Sequence, residues 1–493
     1  MTAHAASKTD VRRADAHGAW YPWIAMGVVL IGTYMVILDT TIVNVALPQI
    51  GTDLHSSGNI EWIVTAYLLA LAVSQPATGW LADRAGRKSV FTITMGAFAL
   101  GSLLAALSPN LDVLIGMRVF QGLAGGAMMP VGLAMIYELF PADRRGTALG
   151  IWGVAAMAAP AVGPLAGGFL VTNVGWRSLF LINVPIGAIG VVAALKLLRD
   201  TGYRESRRFD AVGLGLAGSG LALLLLASSE ITSWGWRSPL TLGVTAVSIV
   251  LLAAFARHAL REREPLVDIR IFAQPVFSLT IAIVWVITVA QYARLVFVPI
   301  ELETLRNMTA FHVGLIMAPA ALGAAVTTPI GGWMADRMGP RPPVLIGLAF
   351  LGAGMWLLAN LSLDTSELRI TAYLLVVSMG TGFANTPNMI AALNTLPARL
   401  LSQGTAVRSI NRQIAGSFGV AILSSVIVAQ IGTVSAISVH GHAAVTAQNA
   451  YNLVFLIGLG SIAIAAVLAV FLPSAASHRA YQQERAAEAE LME

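Results

Sequence analysis

The chain has 493 residues, of which 57% are hydrophobic and only 11% are charged. Soluble proteins contain about 25% charged residues, so a soluble fold of this length would lack the charge to cover its surface. The net charge of +5 is spread over short loops, without a basic domain or an aromatic-basic patch, which excludes a nucleic-acid-binding protein. The chain has no cysteine, so disulfides and thiolate metal sites are excluded as well.

The apolar residues form runs of about 20, the length that crosses a bilayer as a helix. Helices satisfy their own backbone amides in lipid, so the predicted fold is an all-α polytopic membrane protein with fourteen spans. The predicted spans lie near 23–48, 59–81, 89–107, 111–137, 146–170, 178–198, 211–228, 239–257, 277–301, 313–334, 343–361, 370–392, 405–429 and 450–472. The first twenty residues are polar, so no cleavable signal peptide is expected.

Lysine and arginine predict the orientation. If the N-terminus is cytoplasmic, 22 of the 30 basic residues fall in inner segments. Four fall in outer loops, namely Arg177, Arg237, Arg306 and Arg369, and the other four lie within spans or near their ends. Both termini are therefore predicted to be cytoplasmic.

The chain repeats itself. The segment GWLADRAGRK at 79–88 returns as GWMADRMGPR at 332–341, an offset of 253 residues. A second echo, at offsets of 256 to 258, relates Gly122, Pro130, Pro141 and Gly146 to Gly380, Pro387, Pro397 and Gly404. Parallel repeats of six helices predict a binding site between the repeats, near the membrane midplane. The predicted parts are a tail at 1–22, a six-helix bundle at 23–200, two inserted helices at 201–272, a second bundle at 273–473 and a tail at 474–493.

Several further segments carry a family resemblance. They are LDTTIVNVALP at 38–48, RVFQG at 118–122, APAVGPLAGG at 159–168, WRSLFLINVPIG at 176–187 and PLVDIRIF at 265–272. Together with the repeated loop, and in this order, they resemble the major facilitator superfamily, in its fourteen-helix drug:proton antiporter branch (EmrB/QacA-like). The resemblance implies two six-helix bundles plus two inserted helices, residence in the cell membrane, and export of amphipathic, often cationic, compounds in exchange for protons.

Two charged residues lie inside predicted spans. Asp39 is midway along helix 1, where a carboxylate is costly and is a functional candidate by default. Arg118, in helix 4, needs an acceptor, which Asp39 or Gln121 can supply. The resemblance implies proton coupling or cation binding at Asp39 and proton transfer at Arg118, and Asn44 joins this predicted site. The alternative is a structural contact that ties helix 1 to helix 4.

The repeated loop predicts a cytoplasmic gate. Gly86 suits a tight turn, and Asp83 can cap a neighbouring helix N-terminus. The resemblance implies a latch between inward-open and outward-open states, and simple positive-inside anchoring is the alternative. The predicted gate residues are Gly79, Asp83, Arg84, Gly86, Arg87, Lys88, Glu138, Asp336 and Arg337. Pro340 stands where the first copy has Arg87, so the second copy is predicted to be the weaker latch.

Helix 5 and helix 9 carry less specific signals. On helix 5, small residues allow close helix approach and prolines bend the helix, which predicts either a tight seal or ordinary packing by Pro160, Gly163, Pro164, Gly167 and Gly168. On helix 9, Glu301 and Glu303 are predicted either to attract cations in an outer vestibule or to be interfacial charges, with Arg294 pairing with Glu301. Arg408 and Arg412 are interpreted as positive-inside anchors of helix 13.

Other patterns are rejected. GLGLAG at 213–218 matches a dinucleotide fingerprint, but it lies in an apolar helix without a preceding strand. None of the three lysines follows a glycine, so no ATP site of the P-loop type is expected. His440 and His442 have no third ligand in view, so no metal site is predicted. We expect a transporter rather than an enzyme, with no cofactor and the proton as coupling ion; the alternatives are a narrow-substrate exporter of a self-made metabolite, siderophore or lipid, and a non-transporting sensor or scaffold.

Overall fold

The computed structural model describes residues 20–55, 60–141, 143–199, 208–235, 238–397, 400–431 and 442–474. Most of both predicted tails, as well as Arg237, Arg399 and His440, lie outside these residues. So do several side chains of the fifth helix, including those of Pro160 and Pro164. The described residues fold almost entirely into helices, with no strand among them.

The first six long helices form what we call the N-terminal half. They are α1 Tyr21–Asp53, α2 Trp62–Ala85, α3 Arg87–Ala106, α4 Leu111–Leu139, α5 Arg145–Asn173 and α6 Arg177–Leu197. α1 and α2 each tighten into a short 3-10 segment, at Val43–Ala46 and Gln75–Ala77. Pro48 and Pro76 lack a backbone donor, so the regular α-helical ladder is interrupted at these segments.

Eight more long helices follow in the described residues. α7 is Ala211–Ser229 and α8 is Pro239–Arg261. The last six, which we call the C-terminal half, are α9 Pro275–Arg306, α10 Ala310–Met338, α11 Arg341–Leu358, α12 Glu367–Asn394, α13 Leu401–Ile431 and α14 His442–Ala469.

The predicted count of fourteen membrane spans is not supported. Within the described ranges, twelve helices are long and apolar enough to cross a membrane. The two long helices outside this set are α5 and α12, with 29 and 28 residues. α12 is long enough, but polar side chains lower its mean hydropathy, namely Ser378, Thr381, Asn385, Thr386 and Asn388. The sequence interpretation counted apolar runs by length and gave these polar groups too little weight.

The two halves meet closely where α5 and α10 cross. The backbone of Gly146 packs against that of Gly332, and Gly150 packs against Pro329, so that a Cβ at either glycine would overlap the neighbouring backbone. Small residues allow this approach. The repeated loops, 83–88 and 336–341, lie at the same end of the molecule as this crossing, which we call the motif end.

One apolar core joins both halves at the motif end. It combines residues of α1, α3 and α4 with Phe277, Ala335 and Leu393 of the C-terminal half. Two other cores lie within a single half: one surrounds Trp176 and Phe180 in the N-terminal half, and the other surrounds Tyr451 and Phe455 in the C-terminal half. The described structure is therefore closed at the motif end.

α7 and α8 lie beside the seam between the halves. Gly218 of α7 faces Val73 of α2, while Leu221 and Leu225 share a core with Ile410 of α13. α7 thus packs against both halves, and α8 packs mainly on α7. Most of the α8 surface faces outward, as expected for a helix surrounded by lipid. The domain boundaries given above remain predictions.

Candidate functional site

Five polar side chains from four helices form one buried cluster. Asp39 comes from α1, Ser102 from α3, Arg118 and Gln121 from α4, and Asn183 from α6. None of the five is exposed to solvent. We call these residues the buried cluster.

Arg118 and Asp39 form the ion pair at its centre. Arg118 Nη1 donates to Asp39 Oδ2 at 2.5 Å and to Gln121 Oε1 at 2.6 Å. Arg118 Nε donates to the carbonyl oxygen of Ile63 in α2 at 3.0 Å. Gln121 Nε2 donates to Asp39 Oδ1 at 3.0 Å. The sequence therefore identified the pair and its amide partner, because a buried guanidinium needs acceptors wherever it lies.

Ser102 and Asn183 complete the cluster and were not singled out from the sequence. Ser102 Oγ accepts hydrogen bonds from Gln121 Nε2 at 2.6 Å and from Asn183 Nδ2 at 3.2 Å. Asn183 Nδ2 also lies 3.3 Å from Asp39 Oδ1. Asn183 belongs to the segment LINVPIG, whose family likeness was noted without a role for this residue. Ser102 carries no signal of its own, since neutral polar residues are common in membrane helices.

Aromatic rings enclose the guanidinium. Arg118 Cζ lies 4.0 Å from the ring centroid of Tyr67 and 5.7 Å from that of Phe180. Cations are attracted to the faces of such rings, most strongly where water is excluded. Arg118 Nη2 and Asn183 Oδ1 have no hydrogen-bond partner among the described residues. The cluster thus holds a charge-balanced pair with spare hydrogen-bonding capacity, so gain or loss of a proton on Asp39 would change its hydrogen bonds.

Asn44 does not belong to this cluster. Its side chain is exposed, and its Nδ2 donates to the carbonyl oxygen of Thr40 at 3.1 Å. The prediction that Asn44 acts together with Asp39 therefore has no geometric support, because five residues along a helix turn the side chain to another face.

α5 packs directly on α1 beside the cluster. Gly163 faces Thr41 and Gly167 faces Ile42, each so closely that a Cβ would crowd its neighbour. Gly168 has open space beside it. The two glycines thus let α5 contact α1 at Thr41 and Ile42, two and three residues after Asp39.

The first loop copy lies at the motif end and makes contacts within the N-terminal half. Arg87 and Glu138 form an ion pair, and Lys88 Nζ donates to the carbonyl oxygen of Leu195 at 2.9 Å. Arg84 stacks over Trp80, with 5.7 Å from Cζ to the ring centroid. Gly86 has φ of +81°, which glycine adopts without strain. Asp83 is buried.

The second loop copy crosses between the halves. Asp336 accepts hydrogen bonds from the backbone amides of Gly146 and Thr147 at 2.7 and 3.0 Å, and from Thr147 Oγ1 at 3.1 Å. Its carboxylate thus caps the N-terminus of α5, where the helix dipole favours negative charge. Arg337 stacks over Trp333 at 4.5 Å and makes no such link. The second copy was predicted to be the weaker latch because Pro340 stands where the first copy has Arg87. It nevertheless supplies a contact between the halves, since the cap on α5 is made by Asp336 and needs no arginine at that position.

Other contacts close the same end. Gly79 of α2 packs against Gln403 of α13, and Tyr137 of α4 donates to Asn394 of α12. Thr405 Oγ1 donates to the carbonyl oxygen of Pro130 at 3.1 Å. Farther along α13, Gln413 Nε2 donates to the carbonyl oxygen of Leu68 at 3.1 Å. These side chains link the halves from the motif end to about the middle of α13.

The predicted outer vestibule needs correction. Glu301 is fully buried and accepts one hydrogen bond, from Gln448 Nε2 of α14 at 2.9 Å. Its second oxygen, Oε2, has no partner among the described residues. Glu303 is exposed, two residues along α9. Arg294 forms no ion pair with Glu301, so the pairing predicted from their seven-residue spacing was wrong. Two helical turns separate the side chains of Arg294 and Glu301 by about 10 Å along the axis. The exposed acidic side chain at this end of α9 is that of Glu303.

Arg408 and Arg412 lie deep within α13. Arg408 Nη2 donates to the carbonyl oxygen of Asn385 in α12 at 3.4 Å. Its Nη1 is buried and has no partner among the described residues. Arg412 is exposed, although it lies in the middle of a span. Their environment differs from that of basic residues at a membrane surface.

Both the sequence and the fold are similar to those of known transporters. The family model described as Major Facilitator Superfamily matches residues 29–420. The structure of the proton:xylose symporter XylE superposes with a TM-score of 0.63, covering 93% of this chain and 97% of that one, at 14% identity. A likeness at that identity concerns the fold alone.

Two curated relatives are closer in sequence. The tetracenomycin C resistance and export protein of Streptomyces glaucescens is 33% identical over 419 residues, which is 84% of this chain and 77% of that protein. A multidrug resistance protein B homolog of Mycobacterium tuberculosis is 30% identical over 488 residues, covering 92% and 90%. This chain is therefore a multi-pass membrane protein and a member of the Major Facilitator Superfamily of transporters.

Proposed function

We propose that this transporter exports amphipathic small molecules from the cytoplasm in exchange for protons. The observation that carries the proposal is the buried Asp39–Arg118 pair, at mid-helix in the N-terminal half, within hydrogen-bonding reach of the neutral side chains of Gln121 and Asn183. Ionisable residues inside a membrane are costly and usually mark ion pathways. The two relatives above are named for export of tetracenomycin C and for multidrug resistance, which supports efflux as the direction of transport.

The cluster and the close packing of α5 on α1 favour a simple coupling mechanism. With Asp39 ionised, its charge balances that of Arg118. A proton arriving on Asp39 removes this balance, so the charge of Arg118 is then held only by its remaining acceptors, Gln121 Oε1 and the carbonyl oxygen of Ile63. The resulting shift of α1 against α4 is passed to α5 through Gly163 and Gly167. α5 also carries the amides that Asp336 caps, so protonation and the contact at the motif end are linked by one helix.

We further propose the orientation and the finer family branch. The excess of lysine and arginine at the motif end supports a cytoplasmic location for this end and for both termini, with the protein in the cell membrane. The described conformation is then closed to the cytoplasm. The LDTTIVNVALP segment and the α7–α8 pair support the fourteen-helix antiporter branch, with α5 and α12 crossing the membrane among the other helices.

One proton supplies enough free energy. A membrane potential gives roughly 2.3 kcal/mol per charge per 100 mV. At about 1.4 kcal/mol per tenfold ratio, one proton at roughly 150 mV sustains a gradient of a few hundredfold. A single protonatable site such as Asp39 is therefore sufficient.

A proton-driven accumulation assay in everted membrane vesicles tests the proposal. Rhodamine 123 and fluorescein serve as probes, and vesicles with the wild-type chain are compared with Asp39→Asn and the matched control Glu303→Gln. We expect the wild type and the control to accumulate a probe when the vesicle interior is acidified. Asp39→Asn is expected to lose at least tenfold in rate while eluting as a folded protein in size-exclusion chromatography.

Three outcomes contradict the proposal. Equal proton-driven accumulation by wild type and Asp39→Asn removes the coupling role of Asp39. Absence of flux for these dyes and for a wider panel of amphipathic compounds favours the narrow-substrate exporter, and absence of any flux with retained ligand binding favours a sensor.

A further inference from the structure

Arg408 and Arg412 lie deep along α13, well beyond its first turn. α13 begins at Leu401 at the motif end. At about 1.5 Å per residue, Arg412 lies about 16 Å along the helix, close to half the roughly 30 Å of a bilayer core. Arg408 lies one turn below it. A basic side chain that anchors a helix at the membrane surface would lie within the first turn or two, so anchoring does not account for Arg412.

Both guanidinium groups lie on the inward face of α13. Ile410 and Ile414 pack under α7, and a step of two residues turns a side chain by about 200°. Arg408 and Arg412 therefore lie opposite the α7 side. Arg408 reaches Asn385 of α12, and Gly416, one turn beyond Arg412, packs against the ring of Tyr292 in α9. The exposed surface of Arg412 thus faces the interior between the halves and not the lipid.

No acidic side chain balances these charges in the part of the chain that the structure describes. The acids of the C-terminal helices are engaged or distant: Glu301 with Gln448, Asp336 with the N-terminus of α5, and Glu367 with His312 at 2.9 Å. Glu303 is exposed in the last turn of α9, three residues before its end at Arg306. Like charges one turn apart repel each other, and Arg408 Nη1 is buried without a partner.

We propose that Arg408 and Arg412 bind the anionic group of an amphipathic substrate, a carboxylate, sulfonate or phosphate. Guanidinium groups suit such groups because they can donate two parallel hydrogen bonds, and Tyr292 offers an apolar surface beside them. The inference rests on the proposed function, in that the substrate path runs between the halves. It replaces the expectation of cationic substrates, because Asp39 is engaged by Arg118 and Glu301 is buried, so neither carboxylate is open to a cation.

Equilibrium binding to the full chain in lipid nanodiscs tests the proposal. The probes are fluorescein, an anion at neutral pH, and rhodamine 123, a cation built on the same ring system, and binding is followed by fluorescence anisotropy. We expect saturable fluorescein binding that Arg412→Gln weakens by about tenfold to a hundredfold, the effect of losing a hydrogen bond to a charged group. Arg412→Lys keeps the charge and should lose less. Arg369→Gln, an exposed arginine outside the site, is the matched control.

The outcomes separate this inference from the proposed function. Tighter binding of rhodamine 123 than of fluorescein, no saturable fluorescein binding, or equal fluorescein affinity in wild type and Arg412→Gln each overturns the anionic site. Arg412 is exposed, so Arg412→Gln should fold, and an unchanged melting temperature verifies this. Fluorescein binding without proton-driven flux overturns the proposed function alone, whereas proton-driven flux of rhodamine 123 without fluorescein binding overturns the anionic site alone.

Discussion

At the residue scale, the Asp39–Arg118 contact stabilises the fold only when both partners are present. Both side chains are fully buried, and removing one partner from a buried pair costs about 3–5 kcal/mol because the other charge is left unbalanced. Replacing both partners by uncharged groups often changes the free energy of unfolding very little. The pair therefore makes each member hard to replace alone, whether or not protons move through it.

The double substitution provides a test of this contact. We predict that Arg118→Met lowers the free energy of unfolding by about 3–5 kcal/mol, while Asp39→Asn combined with Arg118→Met recovers most of the loss, since no charge then remains buried. Thermal unfolding of the purified variants in one detergent measures the coupling. Additive effects of the two substitutions would show that the charges are not energetically coupled.

Substitutions of Glu301 and Glu303 compare the contributions of a buried and an exposed glutamate of α9 to stability. Glu301 has one hydrogen bond and no cation in contact, so its neutral analogue should fit: Glu301→Gln is predicted to change stability by less than about 1 kcal/mol. Glu301→Ala leaves a cavity and removes the acceptor for Gln448 Nε2, with an expected loss of about 2 kcal/mol. Glu303→Ala is the exposed control, expected within about 0.5 kcal/mol. Equal melting temperatures for the two alanine variants would contradict the buried position of Glu301.

At the element scale, α5 links the buried cluster to the motif end. It lies on α1 through Gly163 and Gly167, and on α10 through Gly146 and Gly150. Its N-terminus is capped by Asp336 from the other half. α5 therefore contacts both α1 beside the buried cluster and the residues that close the motif end, as the proposed coupling requires.

Removal of the cap should shift the population toward an open motif end. Asp336→Ala abolishes three hydrogen bonds to Gly146 and Thr147, which favours separation of α5 from α10. The chain has no cysteine, so spin labels can be attached at cysteines that replace Arg144 and Arg341, and electron-spin distance measurements report the gap. We expect a longer distance population in Asp336→Ala than in Arg337→Ala, the control. An unchanged distribution would show that the cap does not hold the end closed.

The α7–α8 pair is held together at the motif end by Asp210. Partial burial raises the pKa of Asp210, but hydrogen bonds from Gly213 N, His258 and Leu266 N outweigh this effect and keep the pKa below its ordinary value of 3.8. Because the pKa is lowered in the folded state, the contribution to stability is present above pH 3.8 and is lost as the pH falls below it. We predict lower amide-exchange protection factors, relative to the unstructured rate at the same pH, in 208–213 under acid and in Asp210→Asn at neutral pH. Protection factors independent of pH and of the substitution would contradict this role.

The sequence predicted only part of the buried cluster and of the contacts between helices, for physical reasons. Asp39 and Arg118 were identifiable because the cost of burying a charge belongs to the residue itself. Ser102 and Asn183 were not, since neutral polar groups carry no comparable cost and their meeting depends on how α3 and α6 pack. The repeated loop showed where the halves correspond, but not that Asp336 reaches across to α5. The count of fourteen spans lacks support for a related reason: several polar side chains of α12 are buried, and they lower the hydropathy of a helix that is long enough to cross a membrane.

At the scale of the whole molecule, the two halves differ in charge although they repeat in sequence. The N-terminal half holds the balanced Asp39–Arg118 pair, whereas Arg294, Arg408 and Arg412 of the C-terminal half form no ion pair within the described residues. We interpret the first half as the proton-binding half and the second as the half that binds substrate charge. α7, which packs on both, lies where it can follow their relative movement.

Exchange of substrate for protons is the central claim, and substrate-driven proton movement measures it most directly. Purified protein is reconstituted in weakly buffered liposomes without a pH gradient, and the dye accumulated in the vesicle assay, fluorescein or rhodamine 123, is added outside while a pH electrode follows the medium. Exchange predicts that the medium acidifies as dye enters and that Asp39→Asn abolishes the acidification. Dye entry with an alkaline shift, or with no shift in the wild type, would contradict the account.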